Sequence, residues 1–138
     1  MRRFLIFAAV ALLPVAFASS ANAASERSFV GLWEGIDPVV GGDSLRSITC
    51  FRDRSCKLAA TDSVITLCGG GPAFVGGTGA LEGDELVFAD AVLTCPDGRE
   101  VDLVISFERD PGNRTLVETT VVSGGRTLPN IVFHKVSR

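Results

Sequence analysis

Along most of this chain apolar residues recur at every second position, and Gly, Pro and Asp break the recurrence at short intervals. A period of two belongs to an extended strand with one face packed and the other wet, whereas an amphipathic helix repeats every 3.6 residues. No segment sustains the helical period, so the chain reads as all-β, built from many short antiparallel strands. Residues 101–107 show the pattern best. Val101, Leu103, Ile105 and Phe107 share one face, while Glu100, Asp102, Ser106 and Glu108 share the other, with Val104 as the exception.

Nine candidate strands follow, at roughly 29–36, 44–51, 55–61, 63–68, 73–81, 85–95, 99–108, 114–122 and 127–136. The turns between them have a chemical basis, because Pro presets φ while Gly, Asn and Asp tolerate the conformations that reverse a chain. Asp37-Pro38 with Gly41-Gly42 separates the first pair, and Thr61-Asp62 reads as a tight corner. Glu82-Gly83-Asp84, Pro96-Asp97-Gly98, Asp110-Pro111-Gly112-Asn113 and Ser123-Gly124-Gly125 close later hairpins. With connections this short the chain is expected to run up and down. Gly76, Gly77 and Gly79 fall inside a strand, where glycine marks a bend, a bulge or a close backbone approach. A sheet of eight or nine short strands that curls there closes most naturally into a barrel, which removes exposed edges, although a strongly curled sandwich stays open as an alternative. An even strand number closes with antiparallel neighbours throughout. Residues 55–68 are where one element is most easily split into two.

The first 23 residues have a different character. Met1-Arg2-Arg3 is basic, Phe4 to Ala18 is almost unbroken apolar sequence, and Ala21-Asn22-Ala23 is a small-x-small site. That is the layout of a secretory signal peptide, and the apolar run is short of the roughly 20 residues of a membrane span. The expected organisation is therefore a signal peptide over 1–23 and a β-barrel domain over 24–138, with no membrane span after cleavage and a periplasmic or extracellular destination. The formal charge of −3 becomes −5 once the two positive charges of Arg2 and Arg3 are removed. A mildly acidic chain without a Lys/Arg cluster argues against nucleic acid as a partner.

Cys50, Cys56, Cys68 and Cys95 all lie beyond the signal segment. An even number in an exported domain reads as two disulfides, and the spacings lack the Cys-x-x-Cys knuckles of a four-thiolate metal site. If every connection is a hairpin, all four cysteines fall at one end of the sheet. Cys50 and Cys56 then bridge across the turn Phe51-Arg52-Asp53-Arg54-Ser55, leaving Cys68 to pair with Cys95. Cys56–Cys68 is the rival pairing.

Phe29-x-Gly31-x-Trp33, which opens the chain after the signal segment, resembles the first-strand motif of lipocalins and other calycin barrels. In those families Gly-x-Trp opens the first strand, and the Trp packs across the closed end of the barrel beneath a basic residue from near the C-terminus. The resemblance implies that Lys135 or Arg138 fills that place. It covers about five residues, and a bacterial exported family of unknown role fits the same size and strand pattern. Thr61-Asp62 comes too early, and without an aromatic neighbour, to be the Thr-Asp-aromatic turn of lipocalins.

No catalytic constellation stands out. His134 is the only histidine, too few for an imidazole metal site, and nothing in the sequence marks triad partners for it. Glu34, Asp37 and Asp43 sit in or beside turns, where carboxylates bond their own backbone or are solvated. Asp90 interrupts an apolar run and is expected on the solvent face. Gly69-Gly70-Gly71-Pro72 lacks the Lys-Ser/Thr of a phosphate loop. Asn113-Arg114-Thr115 is a glycosylation sequon.

The expected protein is thus non-enzymatic, without cofactor or metal, and of open oligomeric state. One expectation is a small apolar ligand inside the barrel, lined by Trp33, Val101, Leu103, Ile105 and Phe107. Small barrels are also often filled by their own side chains. The other expectation is an exported protein partner, as for the small periplasmic protease inhibitors that share this barrel class. It would be bound by one stapled rim made of Phe51, Arg52 and Arg54 together with Gly69 to Pro72.

Overall fold

The computed structural model of the protein describes residues 25–110, 112 and 114–136. The signal-like segment 1–23, Asn113 of the sequon and Arg138 lie outside them. Nine strands form: β1 (Gly31–Ile36), β2 (Asp43–Cys50), β3 (Cys56–Ile65), β4 (Gly71–Glu82), β5 (Glu85–Thr94), β6 (Glu100–Asp110), β7 (Thr115–Val122), β8 (Arg126–Thr127) and β9 (Ile131–Lys135). Short 3₁₀ turns at Glu26–Ser28 and Thr66–Cys68 are the helical pieces among the described residues. Each strand from β1 to β7 pairs antiparallel with the next, β7 pairs with β9, and β9 returns to β1. Eight strands therefore close a barrel, and β8 adds a short antiparallel pairing to the end of β7. The even number lets every neighbouring pair be antiparallel, and closure leaves no long unpaired edge.

Two of the expected strand boundaries are corrected. Residues 55–61 and 63–68 belong to one strand, β3, followed by a 3₁₀ turn, so Thr61-Asp62 is not a corner. The reason is the alternation itself: Cys56, Leu58, Ala60 and Asp62 all face inward in one unbroken phase. At the C-terminal end, residues 127–136 are interrupted at 128–130, where Pro129 has no N–H to give a ladder, and they divide between β8 and β9.

The first correction changes the geometry of the cysteines. Both disulfides pair as Cys50–Cys56 and Cys68–Cys95. With one reversal fewer in the chain, however, Cys68 and Cys95 lie at the end of the barrel opposite to Cys50 and Cys56. Gly71 pairs with Ile65 at one end, and Cys56 pairs with Gly79 towards the other. The loops Phe51 to Arg54 and Gly69 to Pro72 therefore belong to opposite rims, and the single stapled rim expected from the sequence does not exist.

The end that carries Cys50–Cys56 is closed by side chains. Phe29, Trp33, Phe88, Phe107 and Phe133 are fully buried there and in the adjoining interior. Phe88 meets Phe107 edge to face at 6.0 Å between centroids, and Phe107 meets Phe133 at 6.5 Å. Such pairs add about 0.5–1.5 kcal/mol each beyond the area they bury. The Trp33 indole N–H donates to the Phe29 carbonyl at 2.8 Å, so its one polar atom is satisfied inside the plug. Lys135 Nζ lies 5.3 Å from the centre of the Trp33 ring, the place the calycin resemblance assigns to Lys135 or Arg138. Gly31 explains the first half of that motif. Its φ is +139°, a backbone conformation that favours glycine, and the absence of a Cβ leaves room for Lys135 Cε, which lies 2.8 Å from where that Cβ would stand.

The glycines of β4 sit at the other irregular seam. The β4–β5 register shifts between Gly76 and Ala80, and a Cβ on Gly79 would lie 2.6 Å from the Phe88 ring as well as against the Val87 carbonyl. Glycine there lets two strands draw together around a buried phenylalanine while the sheet bends.

Candidate functional site

The opposite half of the barrel is not filled. From the level of Arg46 outward the interior holds a cavity of about 260 Å³. Its walls include Val75, Leu103, Ile105 and Ile131, and its mouth is framed by Val40, Val64 to Thr66 and Arg126 to Pro129. The loop beside the mouth is held by Asp37, whose carboxylate accepts the amides of Val39 at 2.7 Å and Val40 at 3.2 Å. Asp37 thus bonds its own backbone, as its turn position implies. Cys68–Cys95 secures the other side of the mouth by tying the 3₁₀ turn after β3 to the end of β5.

At the inner end of this cavity lies a buried charge cluster. Arg46 comes from β2, Asp62 from β3 and Glu118 from β7, with side-chain exposures of 3%, 8% and 6%. Arg46 Nε donates to Glu118 Oε2 at 2.5 Å and its Nη2 to Glu118 Oε1 at 3.1 Å, a two-pronged pair. Arg46 Nη1 donates to Asp62 Oδ1 at 2.9 Å and to the Leu45 carbonyl at 3.0 Å. The Thr120 hydroxyl donates to Glu118 Oε1 at 3.0 Å. The guanidinium carbon lies 4.8 Å from the centre of the Phe133 ring, so the cation rests on the aromatic plug. Burial by itself would lower the Arg46 pKa, but Glu118 and Asp62 together outweigh it and hold the group above its ordinary value. The guanidinium is therefore charged at any working pH.

Period two explains how these residues arrive inside. In β2, Ser44, Arg46 and Ile48 face inward while Leu45 is exposed. In β7, Leu116, Glu118, Thr120 and Val122 share the inward phase. Each strand thus carries an apolar inward residue towards the closed end, Ile48 or Leu116, and polar inward residues further along the same face, before Val122 ends that of β7. No motif in the sequence marks Arg46, Glu118 or Thr120, and Asp62 there looks like part of a turn. The one available signal is the continuation of the apolar phase: counting by twos from Leu58 reaches Asp62, from Ile48 reaches Arg46, and from Leu116 reaches Glu118.

The candidate residues named from the sequence divide among three places. Leu103 and Ile105 line the cavity, Trp33 and Phe107 lie in the packed half, and Val101 is half-buried on the inward face of β6. Phe51, at 48% exposure, and the exposed Arg52 and Arg54 occupy the β2–β3 hairpin at the closed end. Asp90 is exposed at a bulge in β5, where the register shifts between Phe88 and Ala91. His134 is exposed on β9. Among the described residues no helix is long and apolar enough to cross a membrane. The outer wall carries exposed Glu34, Asp43, Lys57, Asp102 and Glu108 together with exposed Leu32, Leu45, Phe74, Val104 and Val132.

No family model matches the chain, and no curated protein matches its sequence. The closed eight-stranded antiparallel barrel, with a Trp and a Lys across its closed end, is compatible with a calycin-like fold.

Proposed function

We propose that the protein is a non-enzymatic carrier that holds a small, largely apolar molecule in the mouth half of its barrel. The observation that carries this reading is the asymmetry of the interior, packed with aromatic rings at one end and open as a cavity of about 260 Å³ at the other. Ligand sites begin at about 300 Å³, so the occupant is small. The signal-like first 23 residues and the two disulfides support an exported protein, periplasmic or extracellular.

The native mass of the protein, purified oxidised and without denaturation, tests the reading. A reproducible mass above that of the disulfide-bonded chain, lost on denaturation, is the expected result. A bare mass, together with no change in Trp33 fluorescence or melting temperature across a panel of small apolar compounds, refutes it.

A second reading keeps the protein partner but confines it to the closed end. The β2–β3 hairpin presents half-exposed Phe51 beside exposed Arg52 and Arg54, residue types enriched at binding hot spots. Replacing Phe51 and Arg52 by Ala would abolish binding to an exported protease under this reading and leave the cavity's ligand untouched.

A further inference from the structure

We propose that the molecule held in the cavity carries a protonated amine as its head, seated on Asp62, with its apolar body along Val75, Leu103, Ile105 and Ile131. This rests on the carrier reading and specifies the chemistry of its ligand.

The charge count favours a cation. The buried cluster contains two carboxylates and one guanidinium, which leaves one net negative charge on the wall of the cavity. The other charged groups lining the cavity are Asp37 and Arg126, one of each sign, so they do not alter the balance. Buried charge is tolerated only when it is paired and hydrogen-bonded. A cation delivered from the mouth completes the pairing. An anion would add a third negative charge to the same space.

The atoms still open to a ligand point the same way. Arg46 is largely committed: Nε and one N–H of Nη2 hold Glu118, Nη1 holds Asp62 and a backbone carbonyl, and the flat face lies on Phe133. It therefore does not offer a carboxylate-headed ligand the forked pair of donors that arginine usually supplies. Glu118 is also committed, with both oxygens on Arg46 and one of them shared with Thr120. Asp62 differs. Arg46 engages its Oδ1, and its second oxygen has no hydrogen-bond partner among the described residues. The residue is more than nine-tenths buried and lines the cavity. An ammonium there gains a charge-assisted hydrogen bond at low dielectric, and Thr120 also lines the cavity.

The shape of the cavity limits the rest of the ligand. The remaining lining of the inner cavity is aliphatic, so the ligand is an amphiphile with one polar end and not a polyamine. The volume limits the body to a short chain or a single ring.

The test compares three probes that differ only in the head: n-hexylamine, n-hexanol and hexanoate. Each is titrated calorimetrically into the oxidised protein at neutral pH. The expected result is that hexylamine binds about tenfold or more tightly than hexanol, the gain from one hydrogen bond to a charged group. Hexanoate should bind weakest. Asp62→Asn should bring hexylamine down to the level of hexanol while leaving hexanol binding in place. Hexanoate binding as tightly as hexylamine, or all three binding alike, overturns the amine assignment and leaves the carrier reading intact. Binding by none of the three overturns both. The series is read on the unaltered protein, so it decides between these outcomes even if Asp62→Asn does not fold.

Discussion

The two ends of this barrel are made by the same strands and obey the same alternation, yet one is packed and the other holds charge and space. At the closed end the inward positions are Phe29, Trp33, Phe88 and Phe107, polar atoms are rare, and Lys135 roofs the Trp33 indole. At the mouth the inward positions include Ser44, Arg46, Asp62, Glu118 and Thr120, and space remains between them and the aliphatic wall. Close packing of large rings supplies stability at one end. At the other end buried charges are held in place by one another, an arrangement that contributes little net stability and a defined geometry instead. Separating the two tasks along the barrel axis allows a small fold to keep an interior space without losing its core.

The comparison is sharpened most by removing the centre of each end. Trp33→Ala should cost about 3–5 kcal/mol, the range for deleting a buried Trp side chain. This is checked by chemical unfolding at neutral pH, and the folded fraction should still take up a ligand at the mouth. Arg46→Met should cost a similar amount, about 3–5 kcal/mol, because it strands two buried carboxylates. Replacing the whole cluster, as Arg46→Met with Asp62→Leu and Glu118→Met, should recover most of that stability while abolishing any preference among ligand head groups. A triple variant as unstable as Arg46→Met alone would show that the cluster is a structural keystone and that the division between the ends is wrong.

The disulfides offer a second contrast. Cys68–Cys95 spans 27 positions and Cys50–Cys56 spans 6. Loop-closure entropy assigns them about 3.5 and about 2 kcal/mol respectively. Replacing each pair by Ser should follow that order in thermal melts. Only loss of Cys68–Cys95 should also weaken ligand binding, because it frees the turn that borders the mouth. The smallest effect belongs to Lys135→Met, where loss of the cation over Trp33 should cost about 0.5–1 kcal/mol. Its signature is a shift in Trp33 fluorescence with the mouth unaffected.

The pattern of legibility follows the same division. The closed end is legible because its signals are local. Phe29-x-Gly31-x-Trp33 lies within a few residues, and the Cys50 and Cys56 spacing spans one hairpin. The mouth is not, because its partners are distant in sequence: Arg46 is 16 residues from Asp62 and 72 from Glu118. A charged residue met alone in a strand looks like a solvent-facing one, since an unpaired buried charge is prohibitively costly. Only the partner across the barrel removes that cost. The same effect explains the misplaced corner at Thr61-Asp62. Asp favours turns in isolation, but here the inward phase of Leu58 and Ala60 and the waiting guanidinium keep the strand extended.

What alternation, turn chemistry and cysteine count specify without the fold is therefore an all-β chain of short antiparallel strands, hairpin after hairpin, with two disulfides whose pairing stays open between Cys50–Cys56 with Cys68–Cys95 and the rival Cys56–Cys68. What the tertiary structure decided is the strand count in the wall, the end at which each disulfide lies, and the burial of Arg46, Asp62 and Glu118. These depend on one reversal of direction and on closure of the ring. A single strand read through instead of turned carries Cys68 and Cys95 to the opposite rim, and closure brings β7 across the interior from β2 and β3. Alternation is a local rule about which face a residue occupies, whereas the identity of the residue facing it across the barrel is set only when the last strand meets the first.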